Sequence, residues 1–218
     1  MSAPVLIVDD HELVGTSLLL SLRGEGLEAH YVCRGDVGGV LAVAARLGSG
    51  IALLDLDLGR DRRGRRRDGV DLVVPLTEQG WCCVVLSAAD RSRVGAALAA
   101  GAVAAVPKRA PWPVLLANVR AALDGRVVMN PEIRQELIDS FRTQDAERRD
   151  IVEKLGRLTQ REREVLAELA QGNRAQAVAE QYVVSLATVR TQIRSVLSKL
   201  EVGSQLEAVA LYRRGQSG

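Results

Sequence analysis

Val5-Leu6-Ile7-Val8-Asp9-Asp10 decides the fold: four apolar, mostly β-branched residues run straight into a pair of carboxylates. The pattern recurs along the first half of the chain. Ile51–Leu54 ends on Asp55, Cys82–Leu86 on Ser87, and Ala102–Val106 on Pro107-Lys108, while Ala29–Cys33 supplies a fifth run. Short apolar runs without polar alternation are strands covered on both faces. Between them lie helical patterns, among them Glu12–Arg23, Val70–Glu78, Arg91–Ala100 and Pro113–Leu123. Strands alternating with helices predict an α/β domain over residues 1–124, a five-stranded, parallel, doubly wound sheet. In such sheets functional groups collect at the carboxyl ends of the strands.

From Asp124-Gly125 the pattern changes. Residues 125–157 read as a charged helical linker with Ile133, Leu137, Phe141, Ile151 and Leu155 on apolar faces; Thr143-Gln144-Asp145 predicts a break into two helices. Residues 158–218 carry no strand signal and predict an all-α domain of four helices. Thr159 with Glu162, and Ser204 with Glu207, have capping-box spacing. Gly172 closes the first of these helices and Ser185 caps the long one. That long helix keeps Val189, Ile193, Val196, Leu197 and Leu200 on one face and leaves Arg190, Thr191, Arg194 and Ser198 on the other. Such a helix fits a DNA major groove, and a solvated surface helix shows the same pattern.

The net charge of +2 hides a division. Residues 1–124 hold 14 basic and 14 acidic side chains, but six of the arginines lie between Arg60 and Arg67. Without that stretch, 8 basic groups face 13 acidic ones. Residues 186–200 contain Arg190, Arg194 and Lys199 and no acid. An acidic domain followed by a basic helix suggests a regulatory part and a polyanion-binding part. Aromatic residues at 3% argue against base stacking on single strands. Cys33, Cys82 and Cys83 lack zinc-ligand spacing and read as reduced thiols. The N-terminal apolar run is too short for a signal peptide or a membrane span, which makes the cytoplasm the expected compartment and excludes a membrane partner.

Asp9, Asp10, Asp55, Ser87 and Lys108 stand at the ends of four different strands and meet at one rim. Three carboxylates together require a hard cation, and Mg²⁺ suits them because it keeps waters and phosphate oxygens among its ligands. A hydroxyl and an ammonium complete a site for a phosphoryl group, with Asp55 as the nucleophile that forms an acyl phosphate. The plainer alternative is that each acid terminates a strand or caps a helix.

The segments Val5–His11 (Val-Leu-Ile-Val-Asp-Asp-His), Ala52–Leu58 (Ala-Leu-Leu-Asp-Leu-Asp-Leu), Val84–Ala88 and Gly101–Lys108 resemble the four signature segments of response-regulator receivers. The resemblance implies that Asp55 accepts phosphate from a sensor histidine kinase. It implies that Mg²⁺ is held by Asp9, Asp10, Asp55 and the backbone carbonyl of Asp57, with Ser87 and Lys108 on the phosphoryl oxygens. Gly59 stands where the family usually has proline, the arginine-rich stretch Gly59–Asp68 reads as a solvated insertion, and Ala105 occupies the place of a switch aromatic.

Leu158–Tyr212 resembles the LuxR-type helix-turn-helix, and its position after a receiver matches NarL/FixJ response regulators. This implies a recognition helix over Leu186–Leu200, with Arg190, Thr191 and Arg194 facing the groove and Thr188 and Lys199 on phosphates. It further implies a DNA-binding transcription regulator, active as a homodimer on two half-sites of double-stranded DNA. Arg174, Ala177 and Gln192 depart from the family, and Asn173 is the expected substitute cap. Two rivals remain: a regulator independent of phosphorylation, and a haloacid-dehalogenase-like phosphatase. Asp55-Leu56-Asp57, Ser87 and Lys108 suit the phosphatase, but its acid pair should follow the lysine rather than precede it. The reading favoured is a regulator, not an enzyme.

Overall fold

The computed structural model describes residues 3–33, 37–60, 64–88, 90–126 and 128–216. The chain divides into two compact units, Met1–Arg142 and Thr143–Gly218. The first contains β1 (Val5–Val8), α1 (Glu12–Gly24), β2 (Ala29–Val32), α2 (Val37–Leu47), β3 (Ile51–Asp55), β4 (Asp57–Arg60), β5 (Arg66–Asp68), α3 (Val70–Glu78), β6 (Cys82–Ser87), α4 (Arg91–Ala99), β7 (Ala104–Pro107) and α5 (Trp112–Leu123). Five parallel strands pair in the order β2-β1-β3-β6-β7.

Successive side chains on a strand point to opposite faces, and both faces of this sheet are covered. Leu6, Val8, Ala52, Leu54, Cys83 and Val85 pack under α2, α3 and α4, while Val5, Ile7, Ile51, Leu53, Val84 and Leu86 pack under α1 and α5. This is the doubly wound α/β sheet expected from the apolar runs.

The stretch after Asp55 corrects the sequence reading. Instead of a plain solvated loop, β4 and β5 form an antiparallel hairpin pairing Asp57 with Asp68 and Arg60 with Arg66. Asp61, Arg62 and Arg63 of the arginine-rich stretch lie outside the described residues. Gly59 accounts for the absent proline: its φ is +69°, which a proline ring forbids, and a Cβ there would sit 2.6 Å from Asp10 Oδ2. Arg93 of α4 donates to Asp68 at 2.8 Å and to the Leu56 carbonyl, pinning the hairpin base.

The predicted break at Thr143-Gln144-Asp145 is also corrected, because α6 (Pro131–Gly156) is one continuous helix. No glycine or proline interrupts those positions, and Asp145 pairs with Arg149 one turn on. Asn130 Oδ1 caps its start, accepting from the amides of Glu132 and Ile133 at 2.7 and 3.2 Å. Leu137 and Ile138 join the core beneath α4. Gly95 makes that approach possible: a Cβ on it would lie 2.4 Å from the Leu137 carbonyl oxygen.

The second unit holds α7 (Gln160–Ala170), α8 (Ala175–Gln181), α9 (Leu186–Leu200) and α10 (Gln205–Gln216). Leu158, Leu166, Val196, Leu200 and Leu211 form one cluster, and Val165, Leu169, Val178 and Val189 a second. Thr159 and Glu162 complete a capping box, Gly172 turns the chain at φ +96°, and Ser185 Oγ accepts from Thr188 N at 3.0 Å. Ser204 makes only half of the second box: it caps Glu207 N, but the Glu207 carboxylate reaches the amide of Gly203. Asn173 does not cap α8, whose first turn has no side-chain cap. Its amide donates instead to Glu168 Oε2 at 2.6 Å, an acceptor already waiting on α7.

Val183, in the turn before α9, holds φ +53° with 90% of its surface exposed. A β-branched residue in the left-handed region costs roughly 1–2 kcal/mol, and nothing packs here to offset it. Val183→Gly should therefore raise the unfolding free energy of the second unit by about 1 kcal/mol. Urea denaturation followed by circular dichroism checks this; an equal or lower midpoint would show that the turn carries no strain.

Candidate functional sites

Sheet register builds the first site. Val8 pairs with Leu54, so Asp9 and Asp55 lie side by side at the ends of β1 and β3. Asp55 pairs with Leu86 and Ser87 with Pro107, and the Lys108 amide donates to the Ser87 carbonyl at 2.8 Å. All five sequence candidates therefore stand at one rim. Asp9, Asp55 and Ser87 are buried, and Asp10 is half-buried.

Lys108 Nζ holds the rim together, 2.5 Å from Asp55 Oδ2 and 3.2 Å from Asp9 Oδ2. Asp55 Oδ1 accepts from the Asp57 amide at 3.0 Å, and Asp9 Oδ1 accepts from the His11 amide at 2.8 Å. Tyr31 Oη donates to the Asp9 carbonyl, and its ring fills the space where a Gly15 Cβ would stand. Burial pushes the Asp55 carboxyl above the usual aspartate range; the Lys108 hydrogen bond and the Asp57 amide oppose this without cancelling it. Burial disfavours the Lys108 ammonium, but its hydrogen bond and charge contact with Asp55, then Asp9, outweigh that and raise its pKa.

One ammonium faces three carboxylates. Oxygens of Asp9, Asp10 and Asp55 and a ring nitrogen of His11 all lie within 4.8 Å of one another. Asp10 Oδ1 is buried without a hydrogen bond, since His11 Nδ1 stands 2.8 Å away but out of line for one. An unsatisfied buried carboxylate oxygen among like charges is what a hard cation would complete. His11, quoted in the sequence motif but given no role, belongs to this group. The Asp57 side chain does not: it is exposed and paired with Arg66 at 3.3 Å. Slight burial raises its pKa, but Arg66 outweighs that and lowers it.

The second site is the outer face of α9. Thr188, Arg190, Thr191, Arg194 and Ser198 are all exposed, and Arg190 and Arg194 have no ion-pair partner among the described residues. Lys199 is different, because its ammonium lies 2.7 Å from Glu162 Oε2. Glu162 also accepts from Ser195 at 2.6 Å and from the Thr159 amide at 2.7 Å, so one carboxylate clamps α9 to the start of α7. Sequence reasoning saw Glu162 only as a local cap; its contacts with Ser195 and Lys199 lie 33 and 37 residues away.

An acidic rim on a doubly wound sheet, joined to a four-helix unit with a basic helix face, defines the class of receiver-linked helix-turn-helix proteins. The family described as bacterial regulatory proteins, luxR family, matches residues 156–212. The nitrate/nitrite response regulator protein NarP of Escherichia coli K12 is 34% identical over 217 residues, covering 95% of this chain and 93% of that one. The response regulator protein VraR of Staphylococcus aureus is 30% identical over 215 residues, covering 96% and 95%. Among solved structures, the Salmonella typhimurium RcsB response regulator shares the fold with a TM-score of 0.52 at 22% identity, covering 98% of this chain and 99% of that one. A structure of two RcsB dimers bound to two parallel DNAs does so at 0.51, also at 22% identity and covering 99% of both. The chain belongs to the NarL/FixJ response regulators with a LuxR-type helix-turn-helix.

Glu162 gives the second unit an acid sensitivity. Burial raises its pKa, but Lys199, Ser195 and Thr159 outweigh this and hold it at about 2 against an ordinary 4.5. Folding thus favours the ionised form. The contribution is complete above pH 4.5, falls as the pH drops, and is gone near pH 2. Glu162→Gln should flatten stability across that window while lowering it at pH 7. Denaturant midpoints measured from pH 7 to pH 2 check this, and an unchanged slope in the variant would rule out Glu162 as the titrating group.

Proposed function

We propose that this chain is a DNA-binding transcription regulator switched by phosphorylation of Asp55 by a cognate sensor histidine kinase. The observation that carries the reading is the Asp9–Lys108–Asp55 arrangement beside the unsatisfied Asp10 oxygen. The same residues fit Mg²⁺, with Asp9, Asp10 and Asp55 supplying carboxylates and Asp57 its backbone carbonyl. When bound, the ion neutralises charge on the transferring phosphoryl group.

In the transfer, an Asp55 oxygen attacks phosphorus. The O–P bond forms as the P–N bond to the donor imidazole breaks, and the imidazole takes up a proton. Lys108, already on Asp55, follows the new negative charge onto a phosphoryl oxygen, and the Ser87 hydroxyl donates to another. The raised Asp55 pKa means the buried carboxylate holds its charge at a cost, so charge compensation by a cation would favour the nucleophilic form.

The output is DNA binding by α9, with Arg190, Thr191 and Arg194 reading base edges and Thr188 on phosphate. Lys199 joins them with a smaller share, since one of its three donors is committed to Glu162. The helix-turn-helix match and the dimers in the RcsB complex support a homodimer on two half-sites. Among the described residues no helix is long and apolar enough to cross a membrane. The phosphatase reading is not retained, because the acid pair precedes the nucleophile.

Two experiments test the reading. With a small-molecule phosphodonor and Mg²⁺, Asp55→Asn should abolish incorporation while Asp57→Asn retains most of it; labelling that survives only in the Asp55 variant would misplace the nucleophile. In DNA titrations across salt concentrations, Arg190→Ala and Arg194→Ala should weaken binding and blur sequence preference. Lys199→Ala should lower the log–log salt slope by less than the roughly one unit of a full phosphate contact. Equal, sequence-independent losses in all three would remove base readout by α9.

A further inference from the structure

Sharing Ser87 and Lys108 with the acidic rim lies a cleft of about 370 Å³, lined from the end of β6, β7, α4, the segment before α6 and α6 itself. Val94, Ala105, Met129 and Leu137 supply its apolar lining, Ser87 lines it as well, and the exposed Arg109 stands on it with Lys108 and Arg91. Ala105 leaves room in it, since β7 presents only a methyl group there, and Met129 and Leu137 line it as well. Lys108 is committed to Asp55 and Asp9, and Arg91 pairs with Glu136 at 2.9 Å. Arg109 is exposed and has neither a hydrogen bond nor an ion pair among the described residues. Among the described residues no carboxylate lines the cleft.

We infer that this cleft is a binding site for a small amphipathic anion, a compact apolar ring system carrying one carboxylate or sulfonate. The volume lies within the range of small-molecule sites, roughly 300–1,000 Å³, which are mostly apolar with a few convergent polar groups. The ring system packs against Val94, Ala105, Met129 and Leu137, and the anion meets Arg109. A carboxylate or sulfonate gains a charge-assisted hydrogen bond from Arg109 that a neutral or cationic ligand lacks. The cleft is formed with Asp55 unmodified. Because Ser87 and Lys108 form one wall and Leu137 of α6 the other, its occupant touches both the acidic rim and the helix that leads out of the unit.

The test uses the intact chain and 8-anilinonaphthalene-1-sulfonate, an aromatic sulfonate whose fluorescence rises in apolar surroundings. Saturation at one molecule per chain is expected. Ala105→Phe, which fills the cleft, should raise Kd at least tenfold, and Arg109→Ala should raise it several-fold. Methyl NMR of the unaltered chain reads the location without relying on any variant to fold: shifts should concentrate at Met129, Leu137 and Val94. The inference is overturned by non-saturable binding, by shifts centred instead on the second unit at Leu166 or Val196, or by a folded Ala105→Phe chain that binds as before.

Discussion

Three carboxylates at the ends of neighbouring parallel strands set the terms for the first unit. The oxygens of Asp9, Asp10 and Asp55 lie within 4.8 Å of one another, and two of the three residues are buried. At such separations two unit charges repel by roughly 3–4 kcal/mol at an effective dielectric near 20. The sheet cannot relieve this by moving them apart, because strand register places Asp9 beside Asp55. Lys108 supplies the internal counter-charge, held at the end of β7 by the hydrogen bond that its backbone amide donates to the Ser87 carbonyl. One positive charge does not balance three negative ones, and a hard cation would make up that shortfall.

Much of the surrounding backbone serves this crowding. Gly69 passes so close to the Asp55 carbonyl that a Cβ would lie 2.0 Å from it, and Gly59 clears Asp10. The β4–β5 hairpin therefore grows from the rim itself, and its Arg66 draws the Asp57 carboxylate outward, away from the three acids. In the second unit the corresponding constraint is Glu162. One buried carboxylate, satisfied from Thr159, Ser195 and Lys199, fixes α9 against α7 and leaves Arg190 and Arg194 facing solvent. Both units thus hold an internal ion pair beside the candidate site.

What could be read from the sequence was what depends on local period and strand ends. Apolar runs ending on Asp9, Asp55, Ser87 and Lys108 announced both the parallel sheet and its rim. The two faces of α9 followed from helical spacing alone. The failures have a common cause, which is that they turned on partners distant in sequence or on unusual backbone angles. Asn173 found Glu168 rather than its own helix start, and Glu162, legible as a local cap, also holds Lys199, 37 residues on. Thr143-Gln144-Asp145 looked like an interruption although it contains no helix breaker. The hairpin after Asp55 needed Gly59 at positive φ and Arg93 from α4, neither of which a charge run reveals. His11 had one signal, its place directly after two acids, and it was passed over.

The central claim is that Asp55, alone among the acids of the rim, becomes the phosphorylated group. Reductive trapping reads this directly: the intact chain is treated with phosphoramidate and Mg²⁺, then with borohydride, which reduces an acyl phosphate to the alcohol, and is mapped by mass spectrometry. The account predicts homoserine at position 55 and unmodified aspartate at positions 9, 10 and 57. Homoserine at any of those three, or at none of the four, would contradict it.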